Sequence, residues 1–176
     1  MKSNDIREKF LRNIDLHLRS EVPLGVSLSG GLDSASIVCA IRHLRPKMDI
    51  HTFTYIDQEL IYNEEKWAEL VNKYTKSISH KIEISSNEIE KDLDDFVVSQ
   101  GFPCASTSTY AHYKVFENVK KQNIKVVLDG QGADELLGGY DNLISYRIRS
   151  QIIKKNYFKA FNLYKNYFLN IKNYKE

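Results

Sequence analysis

Apolar positions along this chain recur at two periods, and the periods alternate. Ile6, Phe10, Leu11, Ile14 and Leu18 fall on one face of a helix over residues 4–20. Pro23 ends it. Leu24-Gly25-Val26-Ser27-Leu28 is a short apolar run that reads as a buried strand, and Ser29-Gly30-Gly31 interrupts it. Ala35, Ile37, Val38, Ile41 and Leu44 then return to helical spacing until Pro46. His51-Thr52-Phe53-Thr54-Tyr55 is β-rich and predicts a second strand. Residues 63–74, with Trp67, Leu70, Val71 and Tyr74, predict a helix. Lys81-Ile82-Glu83-Ile84 alternates as a third strand. Ser86 is placed to cap a helix carrying Ile89, Leu93, Phe96 and Val97. Pro103 lies in a loop, and Tyr110, Tyr113, Phe116 and Val119 mark another helix. Lys125-Val126-Val127-Leu128 predicts a fourth strand, which runs into a second glycine-rich loop at 129–140.

Strands alternating with helices predict an α/β fold, a doubly wound and mostly parallel sheet with helices on both faces. Ligands of such sheets bind beyond the carboxyl ends of the strands. Both glycine loops occupy that position. The tail differs: from Asn142 onward there is no Gly or Pro. Ile153, Tyr157, Phe161, Tyr164, Phe168 and Ile171 recur at threes and fours. It reads as one or two amphipathic helices, so the expected division is a core over 1–141 and a helical extension over 142–176.

Composition narrows the classes. The chain has 176 residues, enough for one domain with a real core. Lys and Arg number 25 against 23 Asp and Glu, a formal charge of +2. That balance is too near zero to argue for nucleic acid or membrane as a partner. Apolar runs are too short to span a bilayer, and the N-terminus lacks the apolar stretch of a secretory signal. Cys39 and Cys104 are far apart and form no metal-type pair, so the expected setting is a reducing cytoplasm.

A glycine turn between a buried strand and a helix start exposes backbone N–H groups where the helix dipole adds positive charge. Gly30 and Gly31 allow close approach of an anion, and Ser29 and Ser34 offer hydroxyls. Asp33 repels phosphate unless it holds Mg²⁺ against the phosphate oxygens. The Gly-Lys-Ser/Thr ending of a Walker loop and the third glycine of a dinucleotide fingerprint are both absent. The plainer alternative is a strand-to-helix turn with Asp33 or Ser34 as N-cap. The whole run in its strand–helix setting favours phosphate. The second loop packs four glycines and three acids into residues 129–140. Asp134 there is the candidate second Mg²⁺ ligand, facing Asp33, against the alternative of an acidic surface loop.

Ser29-Gly30-Gly31-Leu32-Asp33-Ser34 resembles the signature of the PP-loop ATP pyrophosphatases. Asp129-Gly130-Gln131-Gly132-Ala133-Asp134-Glu135-Leu136-Leu137-Gly138-Gly139-Tyr140 is similar to the second motif of glutamine-dependent asparagine synthetases. It follows the first motif by about a hundred residues, as in that family. Asn63-Glu64-Glu65, His80, and Ala105-Ser106-Thr107 before Tyr110 add to the likeness, which covers roughly residues 20–141.

The resemblance implies a PP-loop, adenine nucleotide hydrolase-like fold that uses ATP and Mg²⁺. It implies that Ser29, Gly30, Gly31 and Ser34 bind the β,γ-pyrophosphate and that Asp33 and Asp134 coordinate Mg²⁺. Ser27, Tyr55, Asp129 and Gly130 match positions that touch adenosine, although Tyr55 suits core packing equally well. The implied reaction is attack of an aspartate carboxylate on the α-phosphorus, then amide formation with ammonia from a glutaminase domain or subunit. Two positions depart from the family: Gln131 stands for its Glu, and Asp129 for its Ser. Glutamine cannot take a proton as a carboxylate does. The family's glutaminase domain and a later lysine-bearing segment have no counterpart here. The chain therefore reads as an excised fragment, a split-gene product or a truncated relative.

Two rival readings stand beside this one. One is another PP-loop enzyme such as a tRNA-lysidine synthetase; the other is a nucleotide-binding subunit without catalysis. His43, His51 and His112 read as structural or surface residues.

Overall fold

The computed structural model describes residues 3–56, 64–104 and 106–173. Asn63 and Ala105, both part of the sequence likeness, lie outside that set. The chain divides into two compact units, Met1–Gly130 and Gln131–Glu176.

The first unit contains α1 (Ser3–His17), β1 (Leu24–Ser27), α2 (Leu32–Leu44), β2 (His51–Ile56), α3 (Glu64–Thr75), β3 (Ile78–Glu83), α4 (Ser86–Gln100), α5 (Thr107–Lys121) and β4 (Val126–Leu128). Its four strands are all parallel, in the order β3-β2-β1-β4. The chain thus builds outward from β1 in one direction and then crosses to the other side. The order reverses between β1 and β4, which makes their carboxyl ends the switch point where such sheets open a ligand crevice.

The two sheet faces follow from strand alternation. Val26 and Leu28 of the first strand segment and Leu128 of β4 turn to one side. There they pack with Ile14 of α1, Ile37, Val38 and Ile41 of α2, and Ala68 of α3. On the other side Phe53 and Ile82 pack with Val115 and Val119 of α5, and with Val127 and Tyr55. Gly25 falls on this second face, where a Cβ would stand 2.9 Å from Cε2 of Phe53. The missing side chain is what lets that ring, only 1% exposed, cover β1.

Of the apolar positions that mark α3 in the sequence, Val71 packs against the core and the others do not. Trp67, Leu70 and Tyr74 are 56%, 56% and 78% exposed. The buried face carries Ala68, Asn72 and Thr75 instead. The cause lies in β2, whose buried Thr52 points toward this helix side. The Thr52 hydroxyl donates to Asn72 Oδ1 at 2.7 Å, and Asn72 Nδ2 donates to Ser79 Oγ at 3.1 Å. A polar strand face takes a polar helix face, because buried polar groups need partners. The cap of α4 also moves by one residue: Ser85 is the N-cap, and its N–H donates to the Glu88 side chain at 3.5 Å.

α4 and α5 are joined by charge as well as by rings. Lys114 of α5 is only 8% exposed. Its ammonium donates to Asp92 at 2.8 Å and pairs with Glu117 at 2.8 Å and Glu88 at 3.4 Å. The Tyr110 hydroxyl donates to the same Asp92 at 2.7 Å.

The second unit contains α6 (Ala133–Leu137), α7 (Asp141–Ile153) and α8 (Tyr157–Asn173). α6 is a single turn bounded by Gly132 and Gly138, both with positive φ. α7 and α8 form a helical hairpin whose buried contacts include Gln151 and Ala160. The Asn156 N–H closes the turn on the Gln151 carbonyl at 2.8 Å. Of the tail's apolar stripe, Ile153, Tyr157, Phe161 and Tyr164 are exposed. Among the described residues, no helix is long and apolar enough to cross a membrane.

Candidate functional site

The loop after β1 is held open by its own hydrogen bonds. Ser29 N–H donates to Ser34 Oγ at 3.2 Å, and the two hydroxyls lie 3.1 Å apart. Gly31 N–H donates to Ser29 Oγ at 3.2 Å, and Ser34 Oγ–H reaches the Gly31 carbonyl at 3.3 Å. Gly30 has φ +88°, a conformation that costs an L-residue strain and glycine none. These contacts fold the chain from strand into helix within four residues.

α2 starts at once, with Gly31 as N-cap and no side chain capping it. The first N–H groups of a helix have no intrahelical acceptor, and the dipole makes that end positive. Uncapped first-turn N–H groups at the end of a thirteen-residue helix suit an anion. Asp33 is half-buried in this first turn, and Ser34 is buried. The alternative of Asp33 or Ser34 as N-cap is thereby answered: both lie inside the helix.

The loop after β4 meets the first one. β4 pairs with β1 as Val26↔Leu128, so Asp129 and Gly130 emerge beside Ser27 and Leu28. A Cβ on Gly130 would lie 3.2 Å from the Ser34 nitrogen and 3.3 Å from the Asp33 Cβ. Glycine is what allows this strand end to press against the start of α2.

Asp129 has a partner that sequence reasoning missed. Its Oδ2 lies 2.8 Å from Nε2 of His112 on α5. This hydrogen bond raises the His112 pKa, more than burial lowers it. His112 also meets Phe116 edge-on, with ring centroids 5.0 Å apart. No linear spacing links residues 112 and 129. The available signal was chemical: an aspartate at an expected phosphate edge calls for a cation.

The remaining candidates fall in both units. Ser27 ends β1, half-buried and in register with Phe53. Tyr55 is half-buried and packs against the second core, the core-packing alternative of the sequence reading. Gln131 and Asp134 belong to the second unit. There Asp134 is half-buried at the start of α6, and its carbonyl accepts from Gly138 and Gly139 at 2.9 and 3.0 Å. A Cβ on Gly139 would collide with the Asp134 carboxylate. Gln131 is exposed. Among the described residues no three His, Cys, Asp or Glu side chains gather as a metal cage.

Fold and loops together define a doubly wound α/β domain with an uncapped helix start at its switch point. The asparagine synthase family profile matches residues 5–170, and the chain belongs to that family. Asparagine synthetase (glutamine-hydrolyzing) 1 of Bacillus subtilis is 31% identical over 140 residues, covering 78% of this chain and 21% of the relative. A Methanocaldococcus jannaschii protein that also bears the asparagine synthetase name is 35% identical over 136 residues, covering 77% and 26%. The chain thus spans about a fifth to a quarter of the length of these relatives. Among solved structures, the NH3-dependent NAD synthetase of Campylobacter jejuni superposes with a TM-score of 0.53 at 21% identity, over 80% of this chain and 61% of that one. That likeness supports the doubly wound α/β fold.

Proposed function

We propose that this chain supplies the nucleotide-binding part of an ATP-dependent amide-forming enzyme, which adenylates a carboxylate, aspartate first among candidates, and releases pyrophosphate. The observation that carries this reading is the meeting of two loops at the sheet's switch point, beside the uncapped start of α2. Ser29, Gly30, Gly31 and Ser34 hold the β- and γ-phosphates by hydroxyl and backbone donors. Ser27, Asp129 and Gly130 border the adenosine, with Tyr55 behind them.

A substrate carboxylate oxygen forms a bond to the α-phosphorus while the bond from that phosphorus to the β-phosphate bridge breaks. The electron pair leaves with pyrophosphate. Ammonia then attacks the mixed anhydride, and AMP departs. The relatives' names support a glutaminase domain or subunit as the ammonia source. The domain's contribution is positioning and electrostatics rather than covalent chemistry.

The donors present suit Mg²⁺. Asp33 is a hard oxygen ligand in the first turn of α2, and Asp134 is the matching acid in the second motif. Mg²⁺ uses one or two carboxylates and takes its other ligands from phosphates and water, a requirement that Asp33 begins to meet. When bound with ATP it offsets the charge that develops on the leaving pyrophosphate.

Gln131 favours a second reading, a subunit that binds ATP without turning it over, because an amide cannot relay a proton. Calorimetry with ATP, with and without Mg²⁺, on wild type and Asp33→Ala, tests the site. The expected result is Mg²⁺-dependent binding that is lost in the variant. Pyrophosphate release with aspartate then separates the enzyme from the silent subunit. A folded wild-type chain that binds no ATP would sink both readings.

A further inference from the structure

We propose that His112 is a positioning residue for the nucleotide site, orienting the Asp129 carboxylate and balancing its charge beside the phosphate loop; this rests on the ATP-binding reading above. The placement follows from the fold. Alternation along β4 sends Leu128 into one core and Val127 into the other, so Asp129 leaves the strand on the α5 side. His112, Val115 and Val119 lie at i, i+3 and i+7 on α5, and the two valines are buried against the sheet. His112 therefore continues the inward face of α5 to the carboxyl edge of the sheet. There Nε2 and Asp129 Oδ2 are 2.8 Å apart, and the side chains keep 37% and 25% exposure.

The next residue, Gly130, abuts the Ser34 nitrogen. A bare carboxylate at Asp129 would stand one residue from the bound phosphates and oppose them. A hydrogen-bonded imidazole removes much of that opposition and holds one oxygen of the carboxylate in place. The elevated basicity of His112 agrees with a charge-balancing role. A serine at residue 129 would carry no charge and need no such partner. Asp129 and His112 thus form one functional unit.

Calorimetry with Mg²⁺-ATP and with adenosine tests this on the whole chain. His112→Ala should weaken ATP binding roughly tenfold and adenosine binding far less, because only ATP carries the opposing charge. His112→Gln keeps a donor without charge and should fall between. Asp129→Ser in the His112→Ala background should regain most of the lost ATP affinity.

Circular dichroism checks that each variant is folded, and His112→Gln carries the comparison if His112→Ala is not. Wild type failing to bind ATP overturns the ATP-binding reading, and this inference with it. Wild type binding while His112→Ala binds equally well overturns the inference alone. Equal losses for ATP and adenosine, or no rescue by the serine, would reduce His112 to a scaffold residue.

Discussion

Gly130→Ala is the sharpest perturbation of the site, because the added methyl has nowhere neutral to go. It would sit 3.2 Å from the Ser34 nitrogen and 3.3 Å from the Asp33 Cβ. Ordinary contacts begin near 3.4 Å, so α2 or the β4 end must yield by a few tenths of an ångström. Neither obstacle is the flexible end of a side chain. The methyl also covers an N–H assigned to phosphate. Losing one hydrogen bond to a charged group costs about 1.5–3 kcal/mol. At about 1.4 kcal/mol per tenfold, ATP affinity should fall roughly ten- to a hundredfold.

Folding stability should change much less. Reduced freedom of the unfolded chain offsets about 0.4–1 kcal/mol of the crowding. Gly25→Ala is the contrasting variant. Its Cβ would meet the buried Phe53 ring at 2.9 Å, away from the loops. Overpacking of that kind costs about 1–3 kcal/mol, a loss of several degrees in Tm, with ATP affinity unchanged. Calorimetric titration and thermal melting of the two variants separate the effects. Gly130→Ala binding ATP within about twofold of wild type would refute the placement of phosphate against the start of α2.

Two further predictions concern charge. Lys114→Met leaves Asp92, Glu117 and Glu88 facing one another across α4 and α5. The lysine side chain is 10% exposed but its partners are 30–40% exposed, so screening holds the expected loss near ~2 kcal/mol, below the range for fully buried pairs. All three carboxyls are held below their ordinary pKa, Asp92 and Glu117 chiefly by the lysine, Glu88 first by the Ser85 backbone N–H. Their stabilisation is present above the unfolded values and is lost as pH falls through the folded ones. The gap between wild type and Lys114→Met should therefore narrow in acid melts; a gap independent of pH would contradict the pairing.

His80 is the second case. Its Nε2 lies 2.9 Å from His51 Nδ1, and its ring stacks on Phe53 at 4.6 Å. Its pKa is lowered by burial first and by His51 second. A depressed histidine contributes stability that is full above the unfolded pKa, about 6.5, and lost as pH falls through the folded one. Melting between pH 7.5 and 5.5 should lower Tm more in wild type than in His80→Phe. Equal slopes would remove His80 as the cause.

Much of the architecture was legible because local pattern and tertiary role agree in most segments. Val26 and Leu28 alternate with Gly25 and Ser27, and both apolar residues are buried. Where they disagreed, a partner in space decided. Trp67, Leu70 and Tyr74 of α3 are exposed, yet Asn72 faces the sheet because Thr52 waits there. A hydropathy pattern cannot register a preference created by another element's side chains. The cap of α4 fell at Ser85 rather than Ser86 because Glu88 must reach back three residues, and two adjacent serines look alike in sequence.

By itself the sequence determined the class of fold, the parallel alternation of strands and helices, and the two loops that carry the candidate chemistry. These are properties of short segments: glycines where φ must be positive, apolar residues at periods of two or 3.6. Only the tertiary structure decided which strands stand side by side, and so which loops meet. It placed Gly130 against Ser34, and it brought His112 to Asp129 across a helix and a strand. Such contacts depend on strand order and helix direction, which no local run of residues encodes, since they arise only when distant segments bury their apolar faces together.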